Sequence, residues 1–234
     1  MLTLVESNRD TVAVKSQAST AYARLKADLL SGRVVPGERL KISELAASLE
    51  VSPGAIREAL SRLVPEQLVV AIDQKGFIVA PLSIEDLEEL TDLRCEIEAI
   101  ALRRSVERAD PEWEVAILGA AHRLRRTPVP ASADTSAEWM ERHDKFHAAL
   151  VSGCGNRRLL ELHAQLFQQS NRYRSMTLSM GTGRNLEAEH QALVDAALDH
   201  NADLLVDLTT RHFRETTALI VGAARLQKLS GNPS

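Results

Sequence analysis

The chain has 234 residues, of which 44% are hydrophobic and 26% are charged, and its formal net charge is −4. This length and composition fit a globular protein of one or two domains and exclude a chain that is disordered throughout. No run approaches the roughly 20 apolar residues of a membrane span, and residues 1–19 lack the apolar core of a signal peptide. We therefore expect a cytoplasmic protein with no membrane partner.

The chain begins with residues 1–18, a polar stretch without an apolar pattern that we predict to be a flexible arm. Residues 20–30 are the first predicted helix, because apolar side chains recur there every four positions. Gly32 and the Pro36-Gly37 turn end this helix. Its inner stripe consists of Ala21, Leu25 and Leu29.

Two short helices follow, over 42–49 and 51–63, and the link between them is too short for anything but a tight turn between packed helices. In the second helix Ile56, Leu60 and Leu63 recur at three- and four-residue spacing and therefore share one face. Polar residues occupy the other faces, and Ser52 is placed to cap the first turn. This pair has the pattern of a helix-turn-helix whose second helix enters a major groove.

Two β-prone runs, 68–72 and 77–80, come next, separated by the hairpin composition Asp73-Gln74-Lys75-Gly76. Three helices followed by a hairpin make a winged helix. By itself, a short amphipathic helix with two arginines is usually a solvated surface helix. Its neighbours along the chain are what favour DNA binding.

The stretch from residue 19 to about 80 resembles the DNA-binding domain of GntR-type bacterial transcription factors. The resemblance is carried by the pieces PGERL at 36–40, LA at 45–46, VS at 51–52 and IREAL at 56–60. The chain departs from the family at Pro53 and Gly54, where an arginine and a threonine are usual, and at Gln67, where a glycine is usual. The resemblance implies a double-stranded DNA operator as partner.

The first 80 residues carry ten Lys and Arg against nine Asp and Glu, so overall charge is a weak argument for DNA and local placement must compensate. Basic side chains, including Arg33 and Lys41, can gather on one side of a winged helix, with Lys75 at the wing tip. The alternative is scattered, solubilising charge. The predicted DNA-contacting residues are Arg39, Ser52, Pro53, Gly54, Arg57, Arg62, Lys75 and Gly76.

Residues 81–83 are the predicted junction between a winged domain over 19–82 and a helical domain over 83–230. Ser83 precedes two acidic residues with the spacing of a capped helix start. Apolar residues then recur with the helical period of 3.6, and no stretch is a convincing strand. Six helices are predicted, over 84–106, 110–124, 136–152, 156–180, 184–200 and 202–229, with one long loop over 127–133. The predicted fold class is mainly α: a winged helix-turn-helix followed by an antiparallel helical bundle.

Cys95 and Cys154 lie far apart without CxxC spacing. Two such cysteines form neither a disulfide scaffold nor a cysteine-based zinc site. We predict that both are reduced.

The first helix of the bundle carries an arginine, Arg94, in the middle of an otherwise apolar stripe. A guanidinium cannot shed its charge, so a buried Arg94 needs an anionic partner. That partner is either an internal acid, such as Glu98 one turn further on, or a bound anionic ligand. The sequence leaves both alternatives open. The stripe consists of Leu87, Leu90, Arg94, Ile97 and Ala101.

A second candidate site lies over 138–156, where His143 and His147 are four residues apart and project from one face of a helix. This is a spacing that metal-binding histidines use. The alternative is a pair of satisfied interior histidines, which is the commoner situation. We treat His122, His163 and His200 as ordinary surface or packing residues.

The stretch from residue 84 to about 228 resembles the FCD effector domain of FadR-type GntR regulators. The resemblance is carried by WMERHDKFHAAL, GCGNRRLL, NRYR, EHQALVDAAL and TRHFRETT. It implies a divalent metal held by His143, His147, His190 and His212. Within the family the pattern is similar to regulators of dicarboxylate and amino-acid catabolism such as the carbon-starvation regulator. The family generally has aspartate where this chain has His143, and Asp144 falls on a different face. Imidazole ligands favour a transition metal over magnesium or calcium, and zinc or nickel is preferred.

The resemblance also implies a small organic acid as effector, bound by the metal and by an arginine. The candidates are Arg94, Arg172 and Arg174, the last two of which could instead belong to a solvated helix face.

Three functions compete for this pattern. The first is a DNA-binding regulator, most simply a repressor, that acts as a homodimer on an inverted-repeat operator and responds to a carboxylate in the bundle. The second is a metal-dependent hydrolase, which leaves the winged helix unexplained. The third is a dimerisation domain with a purely structural metal. Removal of the metal separates them, because lost folding indicates the third and lost effector binding the first.

Overall fold

The computed structural model describes residues 16–129, 136–174 and 184–229, and its first part is a winged helix. β3 lies in the middle of a three-stranded antiparallel sheet, between β1 and β2. This arrangement confirms the winged helix-turn-helix prediction. In chain order the elements are α1 (Gln17–Leu30), β1 (Arg39–Leu40), α2 (Ile42–Leu49), α3 (Pro53–Leu63), β2 (Val69–Ile72) and β3 (Gly76–Val79).

Local caps explain where these helices begin. The Ser16 side chain accepts a hydrogen bond from the Ser19 amide at 3.1 Å, so α1 begins at Gln17 and includes the last two residues of the predicted arm. Residues 1–15 lie outside the described residues. The Ser52 side chain accepts from the Ala55 amide at 3.2 Å, as predicted, and α3 begins there.

The winged unit has its own hydrophobic core. Ile56, Leu60 and Leu63 of α3 are completely buried, as their spacing predicts, and the inner stripe of α1 packs on them. β1 was missed by the sequence analysis, because a strand of two residues is too short to show a period of two. Arg39 and Leu40 nevertheless pair with Ile78 and Phe77 of β3.

The second part is a bundle of helices that confirms the mainly α prediction. The Ser83 side chain accepts from the Asp86 amide at 3.0 Å, so α4 begins after the predicted cap. A short 3-10 helix, Ser152–Cys154, links α6 to α7. The helices are α4 (Ile84–Glu107), α5 (Pro111–Arg125), α6 (Ser136–Val151), α7 (Arg157–Arg174), α8 (Leu186–Leu198) and α9 (Ala202–Leu229).

Some predicted segments fall outside the described residues, namely part of the loop at 127–133 and residues 175–180, which were assigned to the fourth bundle helix. Cys95 and Cys154 are both buried and free. None of the helices described above has the length and apolar content that crossing a bilayer requires.

α4 is the central helix of the bundle, packing chiefly against α9 and α7. Its predicted stripe faces inward: Leu87, Leu90, Arg94 and Ala101 are buried. α7 packs against α4 on one side and against α1 of the winged unit on another. This position of α7 brings the interior of the bundle close to the DNA-binding unit.

Candidate functional site

Four histidines from three helices meet inside the bundle. His143 and His147 come from α6, His190 from α8 and His212 from α9, and all four are buried. One ring nitrogen of each lies within 4.8 Å of one ring nitrogen of every other. The i, i+4 spacing brings the first pair together, with 3.2 Å between their Nε2 atoms. The structure thus joins all four residues that were predicted as metal ligands.

Aromatic and acidic neighbours hold two of these rings in place. The Trp139 ring stacks on the His143 ring with centroids 4.8 Å apart. His212 Nδ1 lies 2.8 Å from Glu189 Oε2, and Glu189 also accepts a hydrogen bond from Arg184 Nε at 2.9 Å. A carboxylate that holds one imidazole nitrogen orients the other toward a metal and raises its basicity.

The remaining nitrogens face the interior of the cluster. Among the described residues, the Nε2 atoms of His190 and His212 are buried without a hydrogen-bond partner. A buried nitrogen without a partner is costly, and a metal ion would satisfy both. The donor set is nitrogen only, which suits zinc, nickel, copper or iron better than magnesium or calcium. The residues present therefore fit a transition metal.

Burial keeps these imidazoles neutral, which is the form that binds metals. It lowers the pKa of His143 and His147 well below the ordinary value, and the pKa of His190 falls to about 3 for the same reason. The pKa of His212 falls to about 4, because burial outweighs the opposing hydrogen bond to Glu189. Although burial raises the pKa of Glu189, its bonds to His212 and Arg184 lower it to about 2.

Two of the three predicted effector-binding arginines lie at this cluster. Arg174 Nη1 is 2.6 Å from His143 Nδ1 and 2.8 Å from its Nε2, and burial lowers the pKa of Arg174 to about 9. The Arg94 guanidinium lies between two aromatic rings, 4.7 Å from the Phe167 centroid and 4.0 Å from the Phe213 centroid. Burial lowers the pKa of Arg94 to about 10, so both guanidinium groups are charged at neutral pH.

Glu98, the predicted internal partner of Arg94, stabilises the Arg94 charge, and its Oε1 has no hydrogen-bond partner among the described residues. Glu98 Oε2 lies 2.9 Å from Nε2 of His163, a buried histidine that we had expected to be an ordinary packing or surface residue. Among the described residues, Arg94 Nη2 is buried without a hydrogen-bond partner. Both alternatives that the sequence left open therefore stand: Glu98 is an internal acid close to Arg94, and Nη2 of Arg94 is left to donate to a bound anion.

Arg172 lies away from the cluster. Its Nη1 donates to the carbonyl of Gln67 at 3.2 Å and its Nη2 donates to the carbonyl of Ala80. Both carbonyls belong to the winged unit. The structure therefore brings Arg172 to the contact between the winged unit and the bundle, and not to the cavity for which it was suggested.

A polar pair beside Arg174 was not predicted from the sequence. Asn171 Nδ2 donates to both carboxylate oxygens of Asp144, at 3.0 and 2.8 Å. Asp144 faces α7 rather than the histidines, which agrees with its expected place on a different helix face. A signal was available, because Asn171 follows Phe167 by four residues and precedes Arg174 by three, so all three share one face of a helix.

A cavity of about 530 Å³ opens between α5, α6 and α8, beside the cluster. Trp139 and His190 line its inner side, so it reaches the edge of the histidine cluster. His122, Arg125 and Glu187 lie around it.

On the winged unit, an open depression runs between the start of α3 and the wing. Arg39 Nη2 donates to the carbonyl of Lys75 at 2.8 Å and links β1 to the wing tip. Six predicted or suggested DNA-contacting residues line the depression: Arg39, Lys41, Pro53, Arg57, Lys75 and Gly76. The adjacent Ser52 and Gly54 are exposed.

Two other basic residues lie elsewhere on the winged unit. The Arg62 guanidinium is 4.2 Å from the centroid of the Tyr22 ring on α1. Arg33 Nη1 is 2.7 Å from Asp28 Oδ1. Neither residue lines the depression, so the expected gathering of basic residues is only partial.

Comparison with known proteins matches both parts of the chain. Residues 17–79 match the bacterial regulatory proteins of the gntR family, and residues 89–215 match the FCD domain. The HTH-type transcriptional regulator BphR of Paraburkholderia xenovorans is 35% identical over 211 residues, covering 88% of this chain and 86% of that protein. The HTH-type transcriptional repressor GlaR of Escherichia coli is 34% identical over 217 residues, covering 90% and 96%.

A likeness of fold is also found among solved structures. The E. coli protein McbR/YncC superimposes with a TM-score of 0.75 at 20% identity, covering 90% of this chain and 100% of that chain. A regulator from Rhodococcus superimposes with a TM-score of 0.72 at 21% identity, covering 89% and 99%. At such identities the likeness concerns the fold alone.

The buried histidines predict how the stability of the metal-free protein depends on pH. Their folded pKa values, about 3 for His190 and about 4 for His212, lie below the value of about 6.5 expected when unfolded. The unfolded chain therefore binds more protons between those limits, and the free energy of unfolding falls as the pH is lowered through that window. We expect urea unfolding in the presence of a chelator to give a smaller free energy at pH 5 than at pH 7.

His190→Gln should reduce this pH dependence, whereas His122→Ala, at an exposed histidine, should leave it unchanged. A slope in His190→Gln equal to that of the wild type contradicts the prediction.

Proposed function

This chain belongs to the gntR family of bacterial regulatory proteins and carries an FCD domain, and we propose that it is a repressor controlled by a small organic carboxylate bound at the histidine cluster. It is a transcriptional regulator and not an enzyme. The observation that carries the proposal is the set of four buried, neutral imidazoles that face one another beside two guanidinium groups. Repression is supported by the E. coli relative, whose name describes a repressor.

The metal in this proposal is divalent zinc or nickel. It is supported by the all-nitrogen donor set and by Glu189, which holds His212 from behind. The metal would act as a Lewis acid and bind one carboxylate oxygen of the effector. His143, His147, His190 and His212 would be its protein ligands.

The effector class follows from charge. A divalent ion beside Arg94 and Arg174 adds positive charge where two guanidinium groups are already buried, which favours an anionic ligand. A carboxylate can accept from a planar guanidinium and bind the metal at the same time. We propose Arg94 and Arg174 as its protein contacts, and we leave Arg172 out of the site.

Two other functions were considered, a metal-dependent hydrolase and a dimerisation domain with a structural metal. The family match and the winged helix argue against a metal-dependent hydrolase. A purely structural metal is a genuine competitor, because a buried four-histidine cluster can equally serve folding. The stability of the metal-free protein distinguishes it from an effector site.

The DNA partner in this proposal is a double-stranded inverted repeat bound by a homodimer of the FadR type, acting in the cytoplasm, where bacterial DNA lies. One winged helix contacts little DNA, and two-fold symmetry in the protein matches two half-sites about one helical turn apart. We expect light scattering at micromolar concentration to give the mass of a dimer. A monomer that binds DNA one to one contradicts this prediction.

Arg57 is predicted to be a principal DNA contact, because it is exposed on α3 and lines the depression beside the wing. Arg57→Ala should weaken binding to DNA selected in vitro from a random pool. A lost base contact would cost ~1 to 3 kcal/mol and relax specificity, whereas a lost phosphate contact would weaken all sequences alike. Mobility-shift titrations at fixed salt measure the effect.

Arg62→Ala is the comparison variant, because it removes an arginine from the same helix that lies against Tyr22 rather than in the depression. It should weaken binding less than Arg57→Ala. Equal losses in both variants would contradict the assignment of Arg57.

The metal site is tested by combining His190→Ala with His212→Ala, which removes the ligands from α8 and α9. We expect elemental analysis to find that the double variant has lost stoichiometric metal, while DNA binding persists because the winged unit has its own core. The control combines His122→Ala with His200→Asn, since both histidines are exposed and asparagine tolerates the φ of 51° at residue 200. It should retain the metal.

Stoichiometric metal in the His190→Ala, His212→Ala variant would refute the ligand set. Loss of folding on metal removal from the wild type would identify the metal as structural.

A further inference from the structure

Three consecutive carbonyl groups of the winged unit are bonded to three successive turns of α7. They lie in the turn between α3 and β2, directly after the helix that carries Arg57. The donors recur at positions i, i+4 and i+7 of α7, so they share one face of this helix, and that face contacts each residue of the turn in order. The hydrogen bonds run from Gln165 Nε2 to Pro65 O at 3.4 Å, from Gln169 Nε2 to Glu66 O at 3.3 Å and from Arg172 Nη1 to Gln67 O at 3.2 Å.

Arg172 makes the strongest of these contacts. Its second arm donates to the carbonyl of Ala80, so one guanidinium bonds the backbone just before β2 and just after β3. The two ends of the wing hairpin are themselves joined, because the Ala80 amide donates to the Leu68 carbonyl at 3.1 Å. Bonds from a charged donor are about twice as strong as neutral ones. Arg172 is also buried, so its position is closely defined.

Contacts on either side of Arg172 extend this connection. The Glu66 carboxylate accepts from Lys26 Nζ at 2.6 Å and from the Tyr22 hydroxyl, which ties the turn to α1. On α7, the Tyr173 hydroxyl donates to Asp86 and accepts from the Ser83 amide at 3.4 Å, at the junction between the two units. The turn, the wing and the junction are all bonded to the last two turns of α7.

A different face of the same segment of α7 contacts the histidine cluster and its neighbour Asp144. The Phe167 ring lies 5.9 Å from the His143 ring and 5.1 Å from the His147 ring, centroid to centroid. Asn171 is bonded to Asp144, and Arg174 contacts His143. From Gln165 to Arg174, side chains that face the histidine cluster therefore alternate with side chains that face the wing.

We propose that α7 transmits ligand binding at the histidine cluster to the DNA-binding unit, with Arg172 as the positioning residue that fixes the wing and the end of α3. This inference rests on the function proposed above. A helix is stiff over two or three turns, so a ligand that draws Arg174 or Phe167 toward the histidines rotates or shifts the opposite donors too. The turn at 65–67 moves with them, and α3 ends only two residues earlier.

Transmission through α7 can be distinguished from ligand binding itself. If α7 carries the effect of a ligand at the histidine cluster, a variant that only breaks the connection should still bind that ligand but lose the ligand's effect on the winged unit. A residue that merely stabilised the fold would affect both. The two outcomes can be measured separately.

The test uses the full chain and zinc ion alone as the probe. Hydrogen–deuterium exchange is followed by mass spectrometry in peptides covering 64–72 and 79–84, with and without zinc. In the wild type we expect zinc to change amide exchange there by about fivefold or more, the size of a typical allosteric coupling. Arg172→Met should bind zinc with the same stoichiometry but lose this change.

Arg158→Met is the matched control, because it removes an exposed arginine from the same helix. It should behave as the wild type. Arg172→Lys keeps the charge but not the two-armed donor, so it should show only part of the zinc-induced change in exchange. If Arg172→Met does not fold, Arg172→Lys provides the test. An undiminished zinc effect in the variants of Arg172, or no effect in a wild type that binds zinc, overturns the proposal.

If the wild type binds no zinc, the proposed metal site fails, and the connection is tested without metal. Asn171→Ala removes the bond to Asp144 on the cavity face and serves as the perturbation. It should change exchange at 64–72 when Arg172 is present and leave it unchanged in Arg172→Met. Equal changes in both backgrounds, or no change in either, overturn the role of α7 independently of the metal.

Discussion

The interior of the bundle is organised by one electrostatic constraint: two guanidinium groups that cannot lose their charge are buried beside four imidazoles that remain neutral. Among the described residues, two acids lie near the guanidinium groups: Asp144 accepts from Asn171, and Glu98 Oε2 lies 2.9 Å from Nε2 of His163. A divalent ion placed among the imidazoles increases the positive charge further. An anion that binds both the ion and a guanidinium is the simplest arrangement that satisfies every group.

The same constraint explains why the site lies in the middle of the bundle. Neutral imidazoles need burial, and burial needs several helices that each contribute one or two ligands. α6 supplies two through its i, i+4 spacing, whereas α8 and α9 supply one each. Glu189 stands behind His212 at the half-exposed side, where a carboxylate remains charged at little cost. The result is an interior site whose four imidazoles already lie close together.

The parts that the sequence predicted well are those governed by local rules. Ser52 and Ser83 cap their helices as expected, and the apolar spacing in α3 identified its buried face. The four histidines were found through spacing together with a family resemblance. The parts that were missed depend on the rotation of each long helix about its own axis, which decides which neighbour a side chain faces. Arg172 and Arg174 are two residues apart on α7, about 200° around a helix, so one faces the wing and the other the cavity.

Because these two arginines face opposite sides of α7, this helix contacts both units of the protein. The winged unit has a core of its own, so it need not change its fold when the bundle binds a ligand. Its placement relative to the bundle is fixed in part by a few hydrogen bonds from α7 to carbonyl groups, each of which contributes on the order of 1 to 3 kcal/mol. A ligand can shift an equilibrium only by its difference in affinity for the two states. An arrangement held by a few bonds therefore lies within reach of one small carboxylate, whereas a large apolar contact between the units would not.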